Sequence, residues 1–235
     1  MTHTVTLRYF AARGRAQFIR YYLRARGVRF TDERVPLSAD FSAWTAMRDD
    51  RSRTGPFQKL PVLVFDGQLV AETLPIATFL HAALGDEALL TAEERGHHEM
   101  LLSTLYVDVT MAVGTLLWAE VVYPGADMRA VAKRTFDRLR QHLATVERTL
   151  AEWEWRERSR ARPVMLADCL LWESLDVATH VFGARLELPS PILSGWHDGF
   201  AARAACEALK DENACPITAR PGEAEAILKI QALLD

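Results

Sequence analysis

The hydrophobic rhythm of the chain changes once, near residue 86. Before that point apolar residues come in short runs broken by Gly and Pro; after it they recur every three or four residues over long stretches. In the first part Val5 and Leu7 set a period of two that stops at Tyr9-Phe10, the pattern of a short strand. Phe18, Ile19, Tyr22 and Leu23 follow helical spacing, and Gly27 closes that helix. Residues 29–35 read as a second strand ended by Pro36, and Phe41, Trp44 and Met47 give one stripe to a short helix. Residues 51–56 read as a polar loop. Leu60–Phe65 and Gln68–Ala71 read as strands joined by the hairpin signal Asp66-Gly67. Thr73 is placed to cap a helix bearing Ile76, Phe79, Leu80 and Leu84, ended by Gly85. The order β-α-β-α-β-β-α needs a crossover for the early strands and a hairpin for the late ones. It predicts a mixed four-stranded sheet with helices on its faces, an α/β domain over residues 1–85.

A linker at about 86–91 leads to an all-helical domain over 92–235. Glu93 to Glu120 is apolar almost all round (Met100, Leu101, Leu105, Val109, Leu116, Trp118), so that helix is expected to be buried on more than one face. Asp127 starts another helix, in which Ala132, Phe136, Leu139, Leu143, Val146, Leu150 and Trp153 form a bundle seam. Val164–Phe182 reads as a third helix, mostly buried, and two weaker ones follow at about 191–210 and 222–234.

Composition narrows the function classes. The net charge is −3, from 28 Lys+Arg against 31 Asp+Glu, which leaves no positive excess to hold a nucleic-acid backbone. Cys169, Cys206 and Cys215 are too few for a disulfide framework and have no metal-ligand spacing; Cys169, in an apolar run, reads as a buried thiol. The N-terminus lacks a signal-peptide pattern, and Asp108, Asp168, Glu173 and Asp176 interrupt the longest apolar patches, so no membrane partner and a cytoplasmic location are expected. His97 and His98 point about 100° apart on a helix and cannot readily share an ion, so no metal is expected.

The chemistry-bearing residues cluster in the first part. Strand one delivers Tyr9 to the start of a helix that carries Arg13 and Arg15 in its entry region, an arrangement suited to stabilising a small anion. Alone, the same residues read as a core tyrosine and two solvated arginines. Pro61 sits where a strand begins; a cis bond there would leave the Leu60 backbone free to pair with an extended, peptide-like ligand, and a plain trans-proline is the alternative.

Taken together, Tyr9-Phe10, Arg13-Gly-Arg15, Ile19-Arg20, Leu60-Pro-Val-Leu63, Asp66-Gly67 and Glu72-Thr73-x-x-Ile76 resemble the cytosolic glutathione transferase family, closest to its tyrosine-type alpha and sigma classes. The resemblance covers the first 85 residues and implies a thioredoxin-like fold there, followed by an all-α domain. It implies that Tyr9 hydrogen-bonds the sulfur of glutathione, with Arg15 as electrostatic support. Trp44 and Arg48 would hold the glycine carboxylate, and Leu60, before Pro61, would pair with the cysteinyl main chain. Glu72 and Thr73 would grip the γ-glutamyl end. Lys59, beside this site, stands where these classes usually carry Gln, and Arg48 where sigma relatives often carry Lys. Glu94-Arg95 with Glu99 resembles the alpha-class segment whose acidic residue reaches the glutathione amino group across a homodimer, and Phe57 lies where related dimers insert an aromatic residue. In the helical domain Asp168 matches an aspartate that shares a reciprocal helix cap with Ser or Thr; here that position is Met165, with no oxygen to offer, so Asp168 is expected to cap alone.

The implied reaction is physically coherent. A free thiol with a pKa of about 8.5 is only a few per cent thiolate at pH 7. A hydrogen bond and a nearby cation that lower it by about 2 units supply about 2.7 kcal/mol. Tyr9 would act as a neutral donor to that anion. The implied function is transfer of glutathione to a small hydrophobic electrophile, in a pocket expected to be formed by Phe10, Ala11, Leu105, Tyr106, Val109 and the C-terminal helix. A glutathione-dependent isomerase or peroxidase, or a non-catalytic binder of glutathione or other ligands, is the alternative.

Overall fold

The structure, a computed structural model, describes residues 3–38, 40–186, 191–201 and 216–235. Strand β1 (Val5–Phe10) pairs in parallel with β2 (Thr31–Val35) and antiparallel with β3 (Val62–Phe65); β4 (Gln68–Ala71) completes the order β2-β1-β3-β4. The mixed four-stranded sheet read from the sequence is therefore the one that forms. Along β1 the period of two buries Val5, Leu7 and Tyr9 and leaves Thr6, Arg8 and Phe10 half-buried. Tyr9 thus belongs to the core face, at the strand's last turn of the pleat. Helix α1 (Gln17–Ala25) buries Phe18, Ile19, Tyr21, Tyr22 and Leu23, more than one face, because it lies between the sheet and the helical region. The ring of Tyr21 meets that of Trp172 edge-on at 4.9 Å.

Two local readings change in this half. Residues 51–54 are a single helical turn, α3 (Arg51–Thr54), following the short helix α2 (Ser42–Met47). All four residues are polar or charged, so no apolar stripe announces the turn; the Asp50 carboxylate, accepting the Ser52 N–H at 3.0 Å, caps it. Thr73 does not cap α4 (Thr73–Ala83) from outside but is its first residue. The flanking residue is Glu72, at φ +72° and ψ 139°, and its side chain makes no cap.

The helical region opens with α5 (Ala92–Thr104), started by a reciprocal cap between Thr91 and Glu94. The single long helix expected to Glu120 is instead interrupted by a π-helical stretch, Leu105–Thr110, before α6 (Met111–Val122). The run Ala92–Val122 has the length and mean hydropathy (1.6) of a membrane-crossing helix, yet it packs on α7 (Met128–Glu152) and α9 (Leu166–Phe182). Its apolar side chains are not all enclosed: Met100, Val107, Val121 and Val122 are each more than half exposed. In α7 the expected seam is buried at Ala132, Leu139, Leu143, Val146 and Leu150, and Asp127 caps the start through the Ala130 N–H. A short helix not read from the sequence, α8 (Trp155–Ala161), precedes α9.

Helix α9 is the centre of the helical region, buried without interruption from Leu166 to Leu175. Each fully buried Leu there contributes about 1.5–3 kcal/mol of transfer free energy. At its start the fully buried Asp168 accepts the Met165 N–H at 2.9 Å, so one half of the reciprocal cap survives. The carboxylate also accepts the Trp155 indole N–H at 3.0 Å and an Arg162 N–H at 2.6 Å. Helices α10 (Pro191–Ala201) and α11 (Glu223–Leu233) complete the described elements. Cys206, Cys215 and the expected continuation of a helix to residue 210 lie outside the described residues.

Candidate active site

Tyr9 ends β1 with only 8% of its surface exposed, and its hydroxyl accepts the backbone N–H of Arg15 at 3.1 Å. That bond uses an oxygen lone pair and leaves the phenolic proton available to an acceptor in the adjoining cavity. Burial pushes the phenol above its usual 10, against the pull of the Arg15 N–H and the Arg15 charge. The group is therefore a neutral donor at physiological pH. The close approach depends on Gly14, which sits at φ +43°; a Cβ there would stand 2.4 Å from the Tyr9 oxygen.

The loop between β1 and α1 is held from several sides. Arg20, fully buried, donates to the carbonyls of Ala12 (2.9 Å) and Phe10 (3.4 Å) and to Asp32 (3.1 Å). Gly14 and Arg13 donate their N–H groups to the carbonyls of Ile217 (2.7 Å) and Pro216 (2.8 Å), which fastens the C-terminal segment to the loop. The Arg13 guanidinium turns away from Tyr9. It forks onto Glu173 of α9 at 3.1 and 2.7 Å and reaches Asp176 at 2.6 Å, with 4% of the side chain exposed. The expectation of two cations at the tyrosine is thus corrected. Arg15 lines the cavity, whereas the charge of Arg13 is committed to α9.

The cavity beside Tyr9 measures about 510 Å³. On one side it is lined by Phe10, Arg15, Trp44, Lys59 and Leu60, and on the other by Val109, Val113, Trp118, Val177 and Ile217. The Leu60–Pro61 peptide is cis. Of the residues assigned to an electrophile pocket from the sequence, Phe10 and Val109 line this cavity; Ala11, Leu105 and Tyr106 do not. Leu105 is core, and Tyr106 points across to the first domain, donating to the Thr73 hydroxyl at 3.2 Å. For Leu105 and Tyr106 the π-helical stretch explains the difference: an extra residue in one turn shifts which side chains face the cavity. Trp118, Gly114, Ser174 and the segment Ile217–Ala219 are wall residues that the sequence did not single out. Only the registers of α6 and α9 and the return of the C-terminal segment place them there.

The remaining predicted site residues lie outside the cavity lining. Arg48 is half-exposed and pairs with Asp49 at 3.3 Å, one helical turn beyond Trp44. Thr73 is buried at the start of α4, next to the positive-φ Glu72. Glu99 is exposed on α5, 3.6 Å from His81 Nδ1. His97 does not join His98: it stacks on Trp153 at 4.0 Å, while His98 turns inward to His81, ring centres 4.2 Å apart. His81, His98 and Glu99 bring donor atoms within 4.8 Å of one another. However, His98 Nε2 accepts the Ala167 N–H at 3.0 Å. Its Nδ1 must then carry the ring proton, and burial beside His81 holds the ring neutral by pushing its pKa well down. A protonated Nδ1 has no lone pair for a metal, so this cluster does not make a three-ligand site.

A thioredoxin-like mixed sheet, a cis-proline, and a buried tyrosine aimed into an interdomain cavity define a glutathione-transferase-type architecture. Residues 5–82 match the family described as glutathione S-transferase, N-terminal domain. This stretch of the chain is therefore such a domain, and the described residues together have the cytosolic glutathione transferase fold. The sigma-class enzyme of Fasciola hepatica aligns over 94% of this chain and 100% of its own with a TM-score of 0.70, at 23% identity. S-crystallin SL20-1 of Nototodarus sloanii is 41% identical over 76 residues, 32% of this chain and 31% of the crystallin. Human hematopoietic prostaglandin D synthase is 34% identical over 99 residues, 42% of this chain and 45% of the synthase. The sequence matches thus span less than half of these two relatives.

Proposed function

We propose that the chain binds glutathione with its thiol at Tyr9 and uses the thiolate to attack a hydrophobic electrophile. The observation that carries this reading is the Tyr9 hydroxyl: its lone pair is engaged by the Arg15 N–H, and its free proton faces a cavity with polar and apolar sides. Arg15 adds a positive charge beside the anion. Trp44, Lys59 and the Leu60 backbone receive the peptide, with Arg48 for the glycine carboxylate and Glu72 and Thr73 for the γ-glutamyl end. The sulfur forms a bond to carbon as the leaving group departs with its electron pair; the proton lost by the thiol goes to solvent. The wall of Val109, Val113, Trp118, Val177 and Ile217 receives the electrophile. Glu99 and Phe57 are exposed on this chain and are available to a second copy in a homodimer. The matches to a synthase and a crystallin keep glutathione-dependent isomerisation and simple binding as second readings.

The test is turnover of a chromogenic aryl halide with glutathione, for the parent and Tyr9→Phe. A hydrogen bond to a charged partner is worth about 1.5–3 kcal/mol, so the variant should lose about 10- to 100-fold in kcat/KM and retain its fold. Retention on immobilised glutathione without turnover would favour the binder. Failure to bind glutathione would overturn the reading.

A further inference from the structure

We propose that Glu173, on the helix α9 of the second domain, is a positioning residue for Tyr9. By locking Arg13 it fixes the loop that presents the Arg15 N–H to the phenol. The inference rests on the glutathione reading only for the consequence at sulfur; the effect on Tyr9 stands without it.

A carboxylate in the middle of α9 is costly. Glu173 is 3% exposed, in the stretch of α9 buried without interruption from Leu166 to Leu175, and the penalty for burying such a charge is several kcal/mol. The carboxyl is pushed up by burial against the attraction of Arg13, and the groups facing it are Arg13, Asp176 and the buried Tyr21 hydroxyl. Behind Asp176 lies His197, at 3.4 Å. Each oxygen of Glu173 accepts from one guanidinium, at Nε and Nη2, a fork that fixes the plane of Arg13 as a single contact would not, and the Tyr21 hydroxyl donates to the same carboxylate.

Arg13 is two residues from the N–H that reaches Tyr9. Between them Gly14 holds a left-handed conformation against the phenol, and both Arg13 and Gly14 are also bonded to the C-terminal segment. The loop has almost no slack, and among the described residues Arg13 anchors it by side chain to α9. The Arg15 N–H is a force that lowers the phenol pKa, so displacing it weakens the phenol as a donor to an anion. Glu173 borders the same cavity as Tyr9, but its carboxylate is almost fully buried and turned onto Arg13. It acts through Arg13 and the backbone.

The experiment compares Glu173→Gln and Arg13→Lys with the parent. Glutamine keeps the shape but breaks the charged fork; lysine keeps the charge but loses the fork. In the ligand-free proteins the Cζ resonance of isotopically labelled Tyr9, assigned with Tyr9→Phe, reports the hydrogen bonds of the phenol. With glutathione bound, ultraviolet absorbance against pH gives the thiolate midpoint. Both variants should move the Cζ resonance, raise the thiolate midpoint by about one unit and lower kcat/KM at neutral pH about tenfold. KM for glutathione should stay within about twofold. Trp155→Phe, which weakens the fold at Asp168 far from the loop, should change neither spectroscopic readout. If the variants lose only stability, with Cζ and the thiolate midpoint as in the parent, the proposal is overturned. A Cζ shift in the variants alongside a parent that shows no bound thiolate would instead overturn the glutathione reading and leave Glu173 its role.

Discussion

At Tyr9 the two capacities of a phenol are divided between protein and ligand: the lone pair takes the Arg15 N–H, and the proton is offered to the cavity. The division requires Gly14. With φ at +43° and the phenol oxygen where a Cβ would stand, alanine meets both left-handed strain of about 1–2 kcal/mol and a collision with the functional group. Gly14→Ala should therefore lower stability by that order in urea unfolding. It should also cut kcat/KM by more than that loss predicts, because the phenol is what moves. A stability loss with turnover intact would show that the loop absorbs the methyl group elsewhere. Tyr9, Arg15, Trp44, Lys59 and Leu60 all line the cavity; local pattern placed Tyr9 and Arg15 at a strand end and helix entry, while Trp44, Lys59 and Leu60 were reached only through the family resemblance. Arg13 was misread as a second site cation, because its partners Glu173 and Asp176 are 160 and 163 residues away.

At the scale of elements, the π-helical stretch Leu105–Thr110 decides what the second domain shows to the first. It places Val109 in the cavity wall and sends Tyr106 to Thr73. With its lone pair engaged by Tyr106, the Thr73 hydroxyl is oriented, and its proton is free for a ligand carboxylate at the start of α4. Tyr106→Phe should thus raise KM for glutathione severalfold while kcat changes by less than about twofold, measured by steady-state kinetics. An unchanged KM would mean that Thr73 is oriented without it. The sequence shows a continuous apolar helix here, because one inserted residue leaves the composition intact and only rotates the register. For the same reason the wall residues Gly114 and Trp118 could not be sorted from the core by pattern alone. The sheet was easier: its strands are short, bounded by Gly and Pro, and joined by an Asp-Gly turn.

Across the whole molecule, a chain of charges runs from the Tyr9 loop through Arg13, Glu173 and Asp176 to His197 on α10. The contact with Asp176 leads the forces that raise the His197 pKa, against burial, while burial opposes but does not overcome the pull of His197 and Arg13 that holds the Asp176 carboxyl below its usual range. A raised histidine stabilises the fold fully below its unfolded pKa of about 6.5 and loses that effect as pH rises through its folded value. A depressed carboxylate stabilises above its unfolded value of about 4 and loses the effect as pH falls through its folded one. Both contributions coexist between about pH 4 and 6.5. His197→Gln should accordingly reduce the urea midpoint most near pH 5–6, and the gap to the parent should close as pH rises through the histidine's raised folded value. A gap independent of pH would make the contact one of packing alone.

The C-terminal segment has a further consequence. Ile217 and Thr218 form part of the wall that an electrophile would meet, and the carbonyls of Pro216 and Ile217 hold the loop beneath Tyr9. Glu223 pins the same segment to the start of α11 through the N–H groups of Ile217 and Thr218. Under the proposed reading, selectivity and reactivity would be inherited together: a change at these few positions that reshaped the wall for a new electrophile would also shift the loop beneath Tyr9.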